Sequence, residues 1–119
     1  VEPEVHLENH VVVPDIAGWR RARLPKLPET AWFDLAPDWV CEILSPATTR
    51  IDRTDKLAIY AEFGVSHVWL IDPGLKTLEV LALTNGASLL VSTFKDNDTV
   101  ATPPFAAHEF PLDGLWQDT

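Results

Sequence analysis

The stretch Asp38-Trp39-Val40-Cys41-Glu42-Ile43-Leu44 is rich in β-formers and apolar except at its first and fifth residues. A nearly continuous apolar run of this length suits a central strand buried on both faces. Side chains alternate along a strand, so Glu42 shares a face with Val40 and Leu44, while Trp39, Cys41 and Ile43 point the other way. A carboxylate is thereby directed into an apolar layer. Desolvating it costs about several kcal/mol unless a cation or hydrogen bonds offset the loss, so Glu42 requires a partner.

Working outward, Ser45-Pro46-Ala47-Thr48-Thr49 breaks the strand. From Arg50 to Phe63 the residues Lys56, Leu57, Ile59, Tyr60 and Phe63 recur at helical spacing, and Gly64 is positioned as a left-handed cap. Ser66 to Asp72 reads as a second buried strand closed by the turn triplet Asp72-Pro73-Gly74. Strand, crossover helix and strand predict a βαβ-like unit. Thr77 to Leu83 and Ser88 to Phe94 flank Asn85-Gly86, the strongest hairpin signal in the chain. The segment containing Pro103, Pro104 and Pro111 is expected to wrap the sheet edge before Leu112 to Trp116. Upstream, Val11-Val12-Val13 predicts a strand with Asp15 near its end. The proline-interrupted, basic residues 20 to 36 predict a surface loop. The expected class is α/β (α+β): a mixed sheet with a crossover helix and a C-terminal β-hairpin.

With 119 residues, 46% apolar, the chain reads as one domain, 1–119, with a single core. No apolar stretch approaches the ~20 residues of a membrane helix. The start, Val1-Glu2-Pro3-Glu4, resembles neither an initiator region nor a signal peptide and reads as a piece of a longer chain. A single cysteine, Cys41, excludes an internal disulfide and a thiolate cluster and fits a cytoplasmic setting. The net charge of -9 opposes indiscriminate nucleic-acid binding. Its distribution is uneven, however. Arg20, Arg21, Arg23, Lys26, Arg50, Arg53 and Lys56 crowd between positions 20 and 56, leaving only Lys76 and Lys95 elsewhere.

Two partners for Glu42 are in prospect: a metal ion shared with Asp15, and Lys56, which lies one helical turn from Tyr60 rather than on the outward face of Asp55 and Glu62. Hard cations such as Mg²⁺ take carboxylates, water and substrate phosphates. Asp15, Glu42 and Lys56 together then suit phosphodiester hydrolysis. Each residue also has a plain structural reading. Glu42 and Lys56 can form a buried ion pair, Asp15 after Pro14 can serve as a turn residue, and Lys56 can pair with Asp52 at i, i+4. Asp38 and Asp72 read as strand-end residues. His6, His10, His67 and His108 lack metal-ligand spacing. Trp32, Trp39, Trp69 and Trp116 read as suppliers of core area, whereas Trp19 beside Arg20 and Arg21 is the aromatic to test for substrate contact.

Pro14-Asp15 followed by Glu42 resembles the PD-(D/E)XK signature, with a departure: the lysine expected two positions after the acidic residue is replaced by Leu44. The blocks Pro37 to Pro46, Asp52-Arg53-Thr54-Asp55-Lys56-Leu57-Ala58-Ile59-Tyr60 and Gly64 to Pro73 resemble the Uma-type bacterial restriction-endonuclease family, formerly a domain of unknown function. In that family the lysine has moved to the helix, which maps it onto Lys56. The resemblance implies a restriction-endonuclease-like fold and a Mg²⁺- or Mn²⁺-dependent endonuclease cleaving DNA. Catalytic residues would be Asp15, Glu42 and Lys56, with the metal on Asp15 and Glu42. Weaker substrate contacts are expected at Trp19, Arg20, Arg21, Ser45, Arg53 and Tyr60, and a homodimer would bring two sites to two strands. The resemblance also implies a helix ahead of this region, which this stretch of sequence is expected to lack. The rival expectation is an inactive nuclease-fold module that binds nucleic acid or a protein partner.

Overall fold

The computed structural model describes residues 2–116, without the side chain of Asp52. The decisive stretch forms β4 (Trp39–Ile43), the second strand of a five-stranded sheet. Its neighbours are β3 (Ile16–Gly18) on one side and β5 (His67–Asp72) on the other, followed by β6 (Thr77–Thr84) and β7 (Ala87–Lys95). Within this sheet, among the described residues, β4 and β5 run parallel and the other neighbouring strands pair antiparallel. The result is a mixed sheet whose single parallel pair is bridged by the helical crossover, as parallel pairing demands.

The crossover is one helical path: α1 (Thr49–Ile51), a π-helical stretch (Asp52–Lys56) and α2 (Leu57–Glu62). The expected uniform helix is thus interrupted by a wider turn ending at Lys56. At its far end Gly64 adopts φ +78°, its N–H donates to Ala61 O, and Val65 N–H donates to Tyr60 O. This is the doubly bonded left-handed cap that glycine permits. The β6–β7 hairpin turns through Asn85 and Gly86, both with positive φ (50° and 81°), as the dipeptide predicts.

Two expectations are corrected. Val11-Val12-Val13 does not lead into the sheet: β2 (His10–Val12) pairs with β1 (Val5–Leu7) in a separate two-stranded hairpin. Asp15 instead lies just before β3. Three residues, Ile16-Ala17-Gly18, are too short a run to show a strand period. The C-terminal segment does not wrap the sheet edge. It covers a face, where Val100 and Leu112, with Phe110 and Trp116, pack on Cys41, Trp69, Leu78 and Val80. β8 (Thr99–Val100) and β9 (Phe110–Pro111) form a short ladder there, followed by a 3-10 turn at Leu112–Leu115.

The sheet therefore separates two apolar layers. Val40, Leu44, Val68, Leu70, Tyr60 and Val65 fill the helix side. The alternation predicted for β4 holds, since Val40 and Cys41 belong to opposite layers. Cys41 is buried, and its thiol is pushed up to about 12, chiefly by burial and then by the charges of Glu42 and Asp15. It is an inert packing residue. Trp32, an expected core residue, is exposed and stacks on His6.

The cap yields a test of the crossover. Gly64→Ala places a Cβ in free space but at a φ that disfavours L side chains. A loss of about 1 kcal/mol in urea unfolding is expected, and an unchanged midpoint would show that the cap contributes nothing to holding the helix in place.

Candidate active site

β3 and β4 meet at Asp15 and Glu42 through a reciprocal pair of hydrogen bonds. The backbone N–H of Asp15 donates to Glu42 Oε1 at 3.0 Å, and the N–H of Ile43 donates to Asp15 Oδ2 at 2.6 Å. The antiparallel register, Ile16 opposite Cys41, brings Asp15 level with the end of β4. Each carboxylate thus accepts a bond from the other strand's backbone.

The helical crossover supplies the second oxygen's partners. Tyr60 Oη donates to Glu42 Oε2 at 2.8 Å, and Lys56 Nζ lies 3.1 Å from the same oxygen. The spacing of four residues sets both side chains on one helical face, and the π-helical stretch ends at the lysine. Lys56 also donates to Val13 O at 3.4 Å, tying the helix to the segment ahead of Asp15. Glu42 is 1% exposed and Tyr60 0%, whereas the Lys56 side chain is 24% exposed. Of the three side chains that meet at Glu42 Oε2, that of Lys56 is therefore the most exposed.

Burial dominates the acidity of Glu42 and holds its carboxyl above the ordinary 4.5. The Tyr60 hydroxyl, the Asp15 N–H and the Lys56 ammonium oppose that rise in this order. The sequence reading anticipated the carboxylate–lysine contact, but not that the Asp15 backbone and Tyr60 would complete the set. Tyr60, an expected substrate contact, is fully buried. The Asp52 partner expected for Lys56 falls outside the described side chains.

The other expected contacts are dispersed. Ser45 lies just beyond the Glu42 end of β4, where its hydroxyl is 3.0 Å from Thr48 Oγ1 and its carbonyl accepts from Thr49 Oγ1. Arg53 pairs with Glu79. Trp19 donates its indole N–H to Leu35 O and stacks on Phe33, so it is anchored to the fold. Arg20 and Arg21 follow β3, at the end of the strand away from Asp15. There Asp38 accepts bonds from the Arg20 N–H and the Arg23 guanidinium, both at 2.7 Å. Arg20 and Arg23 are therefore held at the end of β3 away from Asp15, whereas Leu24 and Leu27 of the same loop line the cleft that borders Asp15. This cleft, of about 660 Å³, extends past Ala17, Gly18 and Trp19 to Phe33.

Among the described residues, no group of three or more His, Cys, Asp and Glu side chains is disposed to hold a metal. Asp15 and Glu42 offer carboxylate oxygens alone, the donor chemistry that suits a hard ion keeping most of its coordination for water and phosphate. It does not fit a softer ion needing a full protein cage.

The acidity of Glu42 gives a pH signature. Its folded-state value lies above its ordinary one, so the folded chain binds the proton more tightly than the unfolded chain does. That stabilisation is complete below about 4.5 and is lost as pH rises through the folded-state value. Glu42→Gln removes this dependence. Urea unfolding from pH 4 to 8 is expected to show the wild type losing stability relative to the variant as pH rises, and parallel curves would contradict the direction of the shift.

Residues 1–113 match the family described as "Uma2: Putative restriction endonuclease". The crystal structure of "a putative nuclease belonging to DUF820" from Anabaena variabilis ATCC 29413 superposes with a TM-score of 0.76 at 27% identity, over 98% of this chain. The chain spans 65% of that protein's length. No curated protein matches. The mixed sheet, the crossover helix and the hairpin are thus those of a nuclease-like fold. With nearly its whole length matched, the chain belongs to the Uma2 family of restriction-endonuclease-like proteins.

Proposed function

We propose that the chain carries the catalytic site of a metal-dependent endonuclease that hydrolyses DNA phosphodiester bonds. The carrying observation is the buried Glu42 carboxylate, interlocked with Asp15 and contacted by Lys56 and Tyr60. A charge so deeply placed is a liability for stability and a common feature of catalytic sites. Family membership and the nuclease-like neighbour support the same reading.

In this reading Asp15 and Glu42 hold Mg²⁺ or Mn²⁺. Such an ion, when bound, polarises a phosphoryl oxygen, offsets charge on the leaving oxygen and acidifies a bound water. Tyr60 and the Asp15 N–H keep the Glu42 carboxylate oriented. Lys56, more exposed than Glu42 and Tyr60, orients the attacking water or stabilises the negative charge that develops on phosphate. The backbone clasp between Asp15 and Ile43 fixes the separation of the two strands, so substrate binding need not organise the site. Ser45 lies near the end of β4 and is the weaker contact on this side. Arg53, Trp19, Arg20 and Arg21 are more distant contributors to binding along the surface. A cytoplasmic homodimer addressing two strands completes the proposal. No helix among the described residues is long and apolar enough to cross a membrane.

One observation favours the rival reading of an inactive binding module: both oxygens of Glu42 already face protein donors. The two readings separate experimentally. The enzyme reading expects Mn²⁺ or Mg²⁺ binding by calorimetry that is lost in Asp15→Asn. It also expects Lys56→Ala to slow plasmid cleavage by about 10²- to 10⁴-fold while the far-ultraviolet circular dichroism is unchanged. Binding of DNA without divalent-ion binding or cleavage would favour the module.

A further inference from the structure

The two edges of the five-stranded sheet are unequal. β3 offers three residues, whereas β7 offers nine, and no strand among the described residues pairs with the outer side of either. Nine residues make roughly 30 Å of open strand. Edge strands of monomeric proteins are blunted by shortness, by Pro or by charge, above all Lys. β3 is short. β7 carries no Pro and no charge from Ala87 to Phe94, and Lys95 stands only at its end. From Val80 to Phe94 the chain has no Asp, Glu, Lys or Arg, its longest such stretch. The protection that β7 does carry is a bulge: the register shift opposite Val80 and Leu81 leaves Val91 without a partner and adds local twist.

The side chains at this edge are apolar on both faces of the sheet. Leu89, Leu90 and Val91 are 48%, 55% and 55% exposed. Leu90 lies opposite Leu81, a member of the helix-side layer, whereas Leu89 lies opposite Ala82 and so on the other face. Both apolar layers therefore run out half covered at β7. A helix or loop laid on one face would shield one of these leucines. A strand added in the plane of the sheet shields both, and it also takes up the free backbone N–H and C=O groups of the edge.

We propose that β7 pairs edge to edge and antiparallel with the β7 of a second copy of this chain, joining two five-stranded sheets into one. Charge selects the second copy. At -9 each, two copies repel wherever their acidic surfaces meet, and the β7 edge is where they can meet with no carboxylate between them. Antiparallel pairing sets the Lys95 end of each strand beside the other copy's uncharged Asn85-Gly86 end, so Asp96 faces no second carboxylate. The contact is self-complementary and each edge consumes the other, so assembly closes at two. The proposal supplies a surface for the homodimer of the nuclease reading and rests on none of its chemistry. A chain that pairs without cutting loses only the nuclease, and one that cuts as a monomer loses only this interface.

The test is sedimentation equilibrium of the full chain over a wide concentration range, with hydrogen exchange followed alongside. A monomer–dimer equilibrium is expected with a Kd on the order of micromolar, as an interface at the small end of the range gives. The amides of β7 are expected to exchange more slowly as the dimer fraction rises, which side-chain packing alone would not produce. Leu90→Lys and Val91→Lys, both at exposed positions, each place two like charges across the contact and are expected to weaken association about tenfold or more. Val11→Lys, at an equally exposed valine outside the sheet, makes the same change in net charge and leaves the dimer intact. A chain that stays monomeric at millimolar concentration, association that continues past two, or β7 amides indifferent to concentration would overturn the proposal. So would folded Lys variants that dimerise as the wild type does. The wild-type measurements decide the question even where a variant fails to fold.

Discussion

A carboxylate confined to the apolar layer between sheet and helix is the constraint on which this structure turns. Glu42 cannot be ionised there without donors, and the chain supplies three from three different segments: the backbone ahead of β3, Tyr60 in α2, and Lys56 at the end of the π-helical stretch. Placing those donors fixes how β3 meets β4 and how the crossover lies over the sheet. A buried pair of this kind gives little net stability relative to apolar residues of the same shape. Its value is in specifying one arrangement and in keeping an oxygen-rich cluster at the surface of a dry layer.

The polarity of the cluster is graded. Tyr60 and Glu42 are closed off, whereas Lys56 has solvent at its side and Asp15 borders an open cleft. Charge can therefore be presented outward at the ammonium and at Asp15 while orientation is enforced from within. On the far side of the sheet, the C-terminal segment closes the second layer over Cys41 and Trp69. That cover lets β4 be apolar on both faces, the pattern that made Glu42 stand out.

Much of this was legible because two periods were strong. The alternation along β4 separated Val40 and Glu42 from Cys41, and the four-residue spacing of Lys56 and Tyr60 set them together on the helix. Asn85-Gly86 and Gly64 declared their turns through positive φ. What escaped was non-local. A three-residue strand has no measurable period, so β3 was hidden and Asp15 was assigned to the wrong neighbour. The reciprocal bonds between Asp15 and Glu42 use backbone N–H groups, which carry no residue signature. The π-helical turn depends on the packing of the crossover rather than on composition. Proximity in sequence also misled: Arg20 and Arg21 are five and six positions from Asp15, yet β3 carries them to its other end.

The most direct test of the central claim is the position of a bound Mn²⁺, read from its anomalous scattering in crystals soaked with the ion. The account predicts one peak in contact with the carboxylates of Asp15 and Glu42, with Lys56 displaced or retained beside it. A peak elsewhere on the chain, with Glu42 still bonded only to Tyr60, Lys56 and the Asp15 N–H, would contradict it and leave Glu42 as a structural charge.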